Sequence, residues 1–364
     1  MYTKQPKKLL IMNILDILKK YTDEDHRLSQ KEIADILKKE YDMTADRKAI
    51  RRNILNLMEC GYDIEYSETV RMVPVKDPVT KKDKIDKSTG QKVLEESYIW
   101  SDFYLERKFT DGELRLLIDG LFSSRQVPYK QCMDLINKLK DLSNVYFKSH
   151  VKHISRMKDD KTDNKELFLN IEVLDEAISR NRKVSFKYIE YGTDKKIHVK
   201  KRPNGTDREY IISPYQMAAK EGKYYLICNY DKYDDVSNYR VDRIKDIKIL
   251  DEPVKPYKSL KGADGKPIDV TAYMNEHIYM YSGRNVHVKF RINRPLITDI
   301  IDYFGKDVKF SDEDENGVTV TVKTNEMSMQ LFAKSYAPAV EVIEPEELRA
   351  KVREDLEKAL EAYK

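Results

Sequence analysis

The chain has 364 residues, 40% of them hydrophobic and 36% charged, with a formal net charge of +4. That length predicts two or three domains, and the balance of apolar to charged residues excludes a disordered chain. The small net charge excludes a polycation, so any nucleic-acid contact has to come from local basic patches.

Cys60, Cys132 and Cys228 have no paired spacing and are odd in number. This argues against a disulfide framework or a zinc centre and for a reducing cytoplasm. The basic stretch Met1–Lys8 leads into no cleavage-like site, and no apolar run reaches membrane-spanning length. The expectation is a soluble cytoplasmic protein.

Leu9, Leu10, Ile14, Ile17 and Leu18 fall on helical spacing and predict a first amphipathic helix. Ser29-Gln30-Lys31-Glu32 is a capping-box pattern opening a second, with Ile33, Ile36 and Leu37 facing the core. A third starts near Thr44 or Asp46, carries Ile50, Ile54 and Leu57 on one side, and ends at Gly61. Its other side bears Arg47, Lys48, Arg51, Arg52 and Asn53, the cations forming i,i+4 pairs on one broad face. Three short helices with a basic third, followed by strand-like Tyr62–Tyr66, match a helix-turn-helix whose last helix enters the DNA major groove. The lysine-rich stretch Met72–Glu96 is read either as an extended hairpin reaching phosphate or as a mobile loop.

Phe103–Leu142 reads as a helical bridge, with helices opening at Thr110-Asp111-Gly112-Glu113 and at Tyr129. His150 and His153 share a face if helical, but no third ligand accompanies them and no metal is expected. A helix over Leu167–Arg180 precedes strict alternation at Val184, Phe186 and Tyr188. Short strands then run to Leu250, with turns at Tyr191-Gly192, Asn204-Gly205 and Glu221-Gly222, a pattern consistent with a small barrel. Pro253–Asp269 is rich in Pro, Gly and Lys and reads as a linker. Beyond it the succession β-α-β-β-α-β runs from Val286 to Ile343, the ferredoxin-like order. A last helix, Pro345–Tyr363, carries Leu348, Val352, Leu356 and Leu360.

Three stretches carry a family resemblance: Ile212-Ser213-Pro214-Tyr215, Tyr224-Tyr225-Leu226 and Tyr239-Arg240-Val241-Asp242-Arg243-Ile244. They resemble the WYL family, with Tyr224 standing where the family usually has Trp. The resemblance implies an α+β multidomain chain of bacterial source. Residues 1–100 would form a winged helix-turn-helix with an extended wing, and 101–160 a helical bridge. A WYL sensor of Sm- or SH3-like β-barrel form would occupy 161–252. A linker over 253–283 and a C-terminal extension domain over 284–364 complete the division.

Two readings of the arginine-rich stretch stand side by side. In a regular strand Arg240 shares its face with Asp242, giving an internal salt bridge and an exposed Arg243. Alternatively both arginines, helped by Ser213 and Tyr215, line an anion pocket shaped by Tyr224, Tyr225 and Tyr239, which requires a bulge or strand end near Asp242. The family, whose WYL region is thought to sense nucleic-acid or nucleotide-like ligands, favours the pocket.

No G-x-S-x-G, P-loop, G-x-G-x-x-G or H-E-x-x-H pattern occurs, and nothing points to an enzyme or a cofactor. The expected function is ligand-responsive transcriptional regulation by a homodimer, with Thr44, Arg47, Lys48, Arg51, Arg52 and Asn53 on a double-stranded operator. The resemblance adds phage defence as a setting. The alternative is an accessory factor that binds RNA or single-stranded DNA and modulates a defence nuclease.

Overall fold

A computed structural model describes residues 6–78, 80, 82–86, 89–147, 161–260 and 266–364. His150 and His153 lie outside them. The chain divides into two compact units: one built from the elements up to residue 147, the other from residue 161 onward together with Ser123–Tyr129.

In the first unit, α1 (Leu10–Tyr21), α2 (Gln30–Tyr41) and α3 (Arg47–Glu59) close on one core. Ile14, Ile17, Leu18, Ile33, Leu37, Ile50 and Ile54 are all completely buried there. Helices α2 and α3 start on side-chain caps: Ser29 accepts from the Glu32 amide while Glu32 reaches back, and Asp46 accepts from Ala49. These caps satisfy helix-end amides that otherwise lack partners. Thr44 precedes α3 as an exposed residue outside the helix.

β1 (Ile64–Pro74) and β2 (Leu94–Leu105) form an antiparallel hairpin paired from Ile64↔Leu105 out to Pro74↔Leu94. Bridges at Lys76↔Asp83 and Ile85↔Lys92 continue it toward the tip, so the extended-hairpin reading of Met72–Glu96 holds over its described residues. Phe103 belongs to β2 rather than to the bridge, because its ring is needed in the three-helix core. The bridge itself is α4 (Asp111–Ser123) and α5 (Tyr129–Lys140), with Leu114, Ile118, Cys132 and Ile136 buried.

The second unit opens with α6 (Leu167–Ser179), which packs on β3 (Arg182–Tyr191), β5 (Glu209–Lys220) and β8 (Ile244–Pro253). The sheet order is β4-β3-β5-β6-β7, with β8 on the other side of β3; β4 is Ile197–Val199, β6 Lys223–Tyr230 and β7 Ser237–Arg240. The small barrel expected here is not closed: no ladder joins β7 to β8 among the described residues. Side chains occupy the outward amides of β7 instead, Tyr188 Oη accepting from Arg240 N at 3.1 Å and Ser282 Oγ from Asn238 N at 3.1 Å. The β5–β6 hairpin turns at Glu221 (φ 50°) and Gly222 (φ 67°), the doubly left-handed conformation that matches strand twist.

The linker expected over 253–283 is partly a correction. It contains α7 (Val270–Glu276), capped by Asp269, whose Tyr273 and nearby Met280 pack with Ala218 and Ile227 of the β5–β6 hairpin. Ile278 is completely buried in the C-terminal core.

That core belongs to an antiparallel sheet of order β10-β11-β9-β12, from β9 (Asn285–Asn293), β10 (Lys309–Ser311), β11 (Gly317–Asn325) and β12 (Val340–Glu344). Helices α8 (Ile297–Phe304) and α9 (Glu326–Ser335) complete the β-α-β-β-α-β connectivity, and α10 (Glu346–Ala362) follows. At Gly317 a Cβ would meet the Ile292 carbonyl oxygen at 2.1 Å, so the β9–β11 approach requires glycine there. On α10, Leu348 and Val352 are buried in this domain, whereas Leu356 and Leu360 are exposed.

Candidate nucleic-acid interface and ligand corner

The outer face of α3 presents Arg47, Lys48 and Arg52, all exposed and with no ion-pair partner among the described residues. Leaving three cations unneutralised side by side on one helix is unfavourable by itself and suits a polyanion. Arg51 is different. Its guanidinium lies 4.5 Å from the Trp100 ring centroid, a cation–π contact that ties α3 to the hairpin. Trp100 is fixed in turn by stacking on Tyr66 at 4.1 Å and by donating from Nε1 to Glu68 at 2.6 Å. Asn53 donates its amide to the Ala49 carbonyl at 2.8 Å, a bond within the helix that uses one donor of the group expected to read DNA.

In the second unit the expected strand Tyr239–Ile244 is not continuous. β7 ends at Arg240, Val241–Arg243 make one 3-10 turn, and β8 begins at Ile244. The turn is held from α6 and the segment before it: Asn164 donates to the carbonyls of Asp242 and Ile244 at 2.8 Å each, and Asn170 to those of Val241 and Ile244 at 3.3 and 2.7 Å. Both asparagines are buried, and the sequence reading missed them. The available signal was a polar residue, Asn170, within the largely apolar helix Leu167–Ser179.

Arg240 grips Asp242 through two hydrogen bonds, Nε to Oδ1 at 3.0 Å and Nη2 to Oδ2 at 2.7 Å. Asp242 is 2% exposed, so this pair neutralises a carboxylate that burial would otherwise penalise. Burial opposes the charge on Arg240, the Asp242 bonds outweigh it, and the guanidinium is held above its ordinary range. Arg243, half-buried, has no ion-pair or hydrogen-bond partner among the described residues. The salt-bridge reading therefore describes Arg240, and the strand end demanded by the pocket reading frees Arg243.

The remaining expected ligand residues disperse. Ser213 is completely buried, its Oγ accepting from Lys255 N at 2.9 Å, and Tyr215 donates to the Lys255 carbonyl at 2.8 Å. Their polar atoms clamp the chain beyond β8 instead of joining the arginines. Tyr225 faces Arg240 across the β6–β7 ladder, while Tyr224 is 36% exposed and its amide donates to Gln126 at 2.7 Å. Tyr239 sits in a ring cluster with Phe186, Tyr188 and Tyr210, at centroid distances of 5.2 to 5.5 Å. The corner thus retains Tyr225, Arg240, Asp242 and Arg243, with Tyr188 added.

These features, an asparagine-braced arginine turn in a small β domain followed by a β-α-β-β-α-β domain, define a two-domain module. Residues 170–249 match the WYL domain and residues 284–360 the WCX domain. The chain therefore carries a WYL domain followed by a WCX domain. Among solved structures it is similar to proteasome accessory factor B/C (PafBC) of Arthrobacter aurescens, at 15% identity and a TM-score of 0.26, covering 99% of this chain and 49% of that one. It is also similar to a CRISPR Cas-related protein, at 15% identity and a TM-score of 0.35, covering 71% of this chain and 75% of that one. This chain thus spans about half the length of the first. No curated protein matches the chain.

Proposed function

We propose that this protein is a ligand-responsive DNA-binding transcriptional regulator, with α3 and the β1–β2 hairpin as its duplex reader. Three helices capped at α2 and α3, followed by a long hairpin, are read as a winged helix, and the C-terminal sheet of order β10-β11-β9-β12 as ferredoxin-like. The observation that carries the reading is the outer face of α3, where Arg47, Lys48 and Arg52 stand exposed, with no ion-pair partner among the described residues, beside Arg51 stacked on Trp100. A groove-binding helix needs free cations for phosphate and a stiff partner element to fix its register.

In this reading the WYL domain takes an anionic effector, nucleic-acid or nucleotide-like, at Arg243. A guanidinium without a partner among the described residues, beside a neutralised Arg240–Asp242 pair, offers charge and N–H donors to a phosphate. The regulator acts as a homodimer on paired half-sites. The test is capture of genomic duplex fragments by the full-length protein, followed by fluorescence anisotropy on the enriched sequence with and without short oligonucleotides. Sequence-selective duplex binding that oligonucleotides change supports the proposal. Duplex binding no better than to random DNA overturns it.

A further inference from the structure

A cavity of about 420 Å³ lies where the segment before β7, α7 and the start of β9 meet. Its wall shares no residue with the arginine corner. Tyr257 and Tyr273 supply aromatic surface, and His277, Glu276, Asn285 and Asp235 supply polar atoms.

Two acceptors in this wall have no donor among the described residues, and they differ in their access to the cavity. Asn285 donates its Nδ2 to Glu276 at 2.6 Å, and its Oδ1, without a hydrogen-bond partner among the described residues, is closed off from the cavity. His277 is 3% exposed and stacks on Tyr273 at 3.9 Å, with Nδ1 2.9 Å from the Tyr273 carbonyl oxygen. A carbonyl only accepts, so Nδ1 carries the proton; burial disfavours a second one and holds the ring neutral. Nε2 is then a lone-pair acceptor with no partner among the described residues. Leaving such an acceptor empty costs stability, and a ligand with N–H donors would recover it.

The charges favour a cation. Lys323 is paired with Glu276 at 2.9 Å, and Arg284 with both Glu326 and Glu347, so the basic residues of the wall are already neutralised. Asp235 is exposed and has no ion-pair partner among the described residues. We propose that this cavity binds a small organic cation bearing N–H donors, a primary ammonium or an amidinium, held by His277 Nε2 and the Asp235 carboxylate against the tyrosine rings. A planar amidinium fits the flat aromatic wall and presents two donors in a fork.

The test is isothermal titration of the full chain with benzamidine, with benzoate and benzyl alcohol as controls of matched size. Saturable one-site binding of benzamidine alone is expected at millimolar concentration or tighter. Asp235→Asn, at an exposed position that leaves the fold intact, and His277→Phe, which keeps the stacking ring but removes the acceptor, should each weaken it roughly tenfold. Absence of saturable binding, equal binding of benzoate or benzyl alcohol, or unchanged affinity in Asp235→Asn would overturn the proposal. Oligonucleotide response at Arg243 is measured separately, so either proposal can fail alone.

Discussion

Arg240 and Asp242 stand two residues apart and face each other across a single 3-10 turn, joined by bonds of 3.0 and 2.7 Å. The turn that lets them meet also swings Arg243 out of the β7 ladder. One chain reversal thus makes a structural arginine and a free one from residues that look alike in sequence.

Their substitutions should therefore separate. Asp242→Ala leaves the Arg240 guanidinium without its carboxylate, and Arg240→Ala leaves a buried carboxylate; each should destabilise by about 3–5 kcal/mol, toward the lower figure because the Arg240 head is partly exposed. Arg243→Ala should cost far less, because this half-buried side chain has no ion-pair or hydrogen-bond partner among the described residues. Calorimetric melting of the three variants checks this, and early unfolding of Arg243→Ala would mean that its side chain is structural.

On α3, replacing Arg47, Lys48 or Arg52 by Ala should lower the slope of log affinity against log salt by about one for each phosphate that the side chain neutralises. Arg51→Ala should act differently. It should loosen α3 from Trp100, detected as a change in the single tryptophan's fluorescence as well as in DNA affinity. An unchanged salt slope in the triple variant would remove α3 from the interface.

Glu326 joins α9 to β9 and α10 through Arg284 and Lys351, and its carboxyl is pulled down to about 2, chiefly by the Arg284 hydrogen bond. A carboxylate with a lowered folded-state pKa contributes stability above its unfolded value, and that contribution is lost as pH falls through the folded one. The melting temperature of wild type minus that of Glu326→Gln should therefore be positive and constant at neutral pH. It should shrink as pH drops from about 4.5 toward about 2. A difference independent of pH over that range would show that the ion pairs add nothing.

The stripe on α10 divides by burial. Leu348→Ala opens a cavity in the C-terminal core and should cost about 2–5 kcal/mol. Leu360→Ala, at 62% exposure, should change stability by less than about 0.5 kcal/mol. Denaturant titration measures both, and a costly Leu360→Ala would reveal a buried surface, such as one against a second copy of the chain.

By itself the sequence determined the elements whose signals are local. The Ser29–Glu32 box, the Glu221-Gly222 turn and the period-two run through Val286, Val288 and Phe290 each depend on neighbours a few residues away. The basic face of α3 was legible for the same reason, because helical spacing alone places Arg47, Lys48 and Arg52 together. Only the tertiary structure decided what the second unit does with Ser213, Tyr215 and the two arginines. Whether Tyr239–Ile244 runs on as a strand or breaks after Arg240 depends on Asn164 and Asn170, some 70 to 80 residues earlier, whose amides bond the carbonyls of the turn. Lys255 likewise withdraws Ser213 and Tyr215 from the ligand corner by offering them its backbone from about 40 residues away. Hydrogen-bond partners at that separation leave no period or spacing in the chain, and the energy of satisfying buried polar atoms becomes visible only when the chain has brought them together.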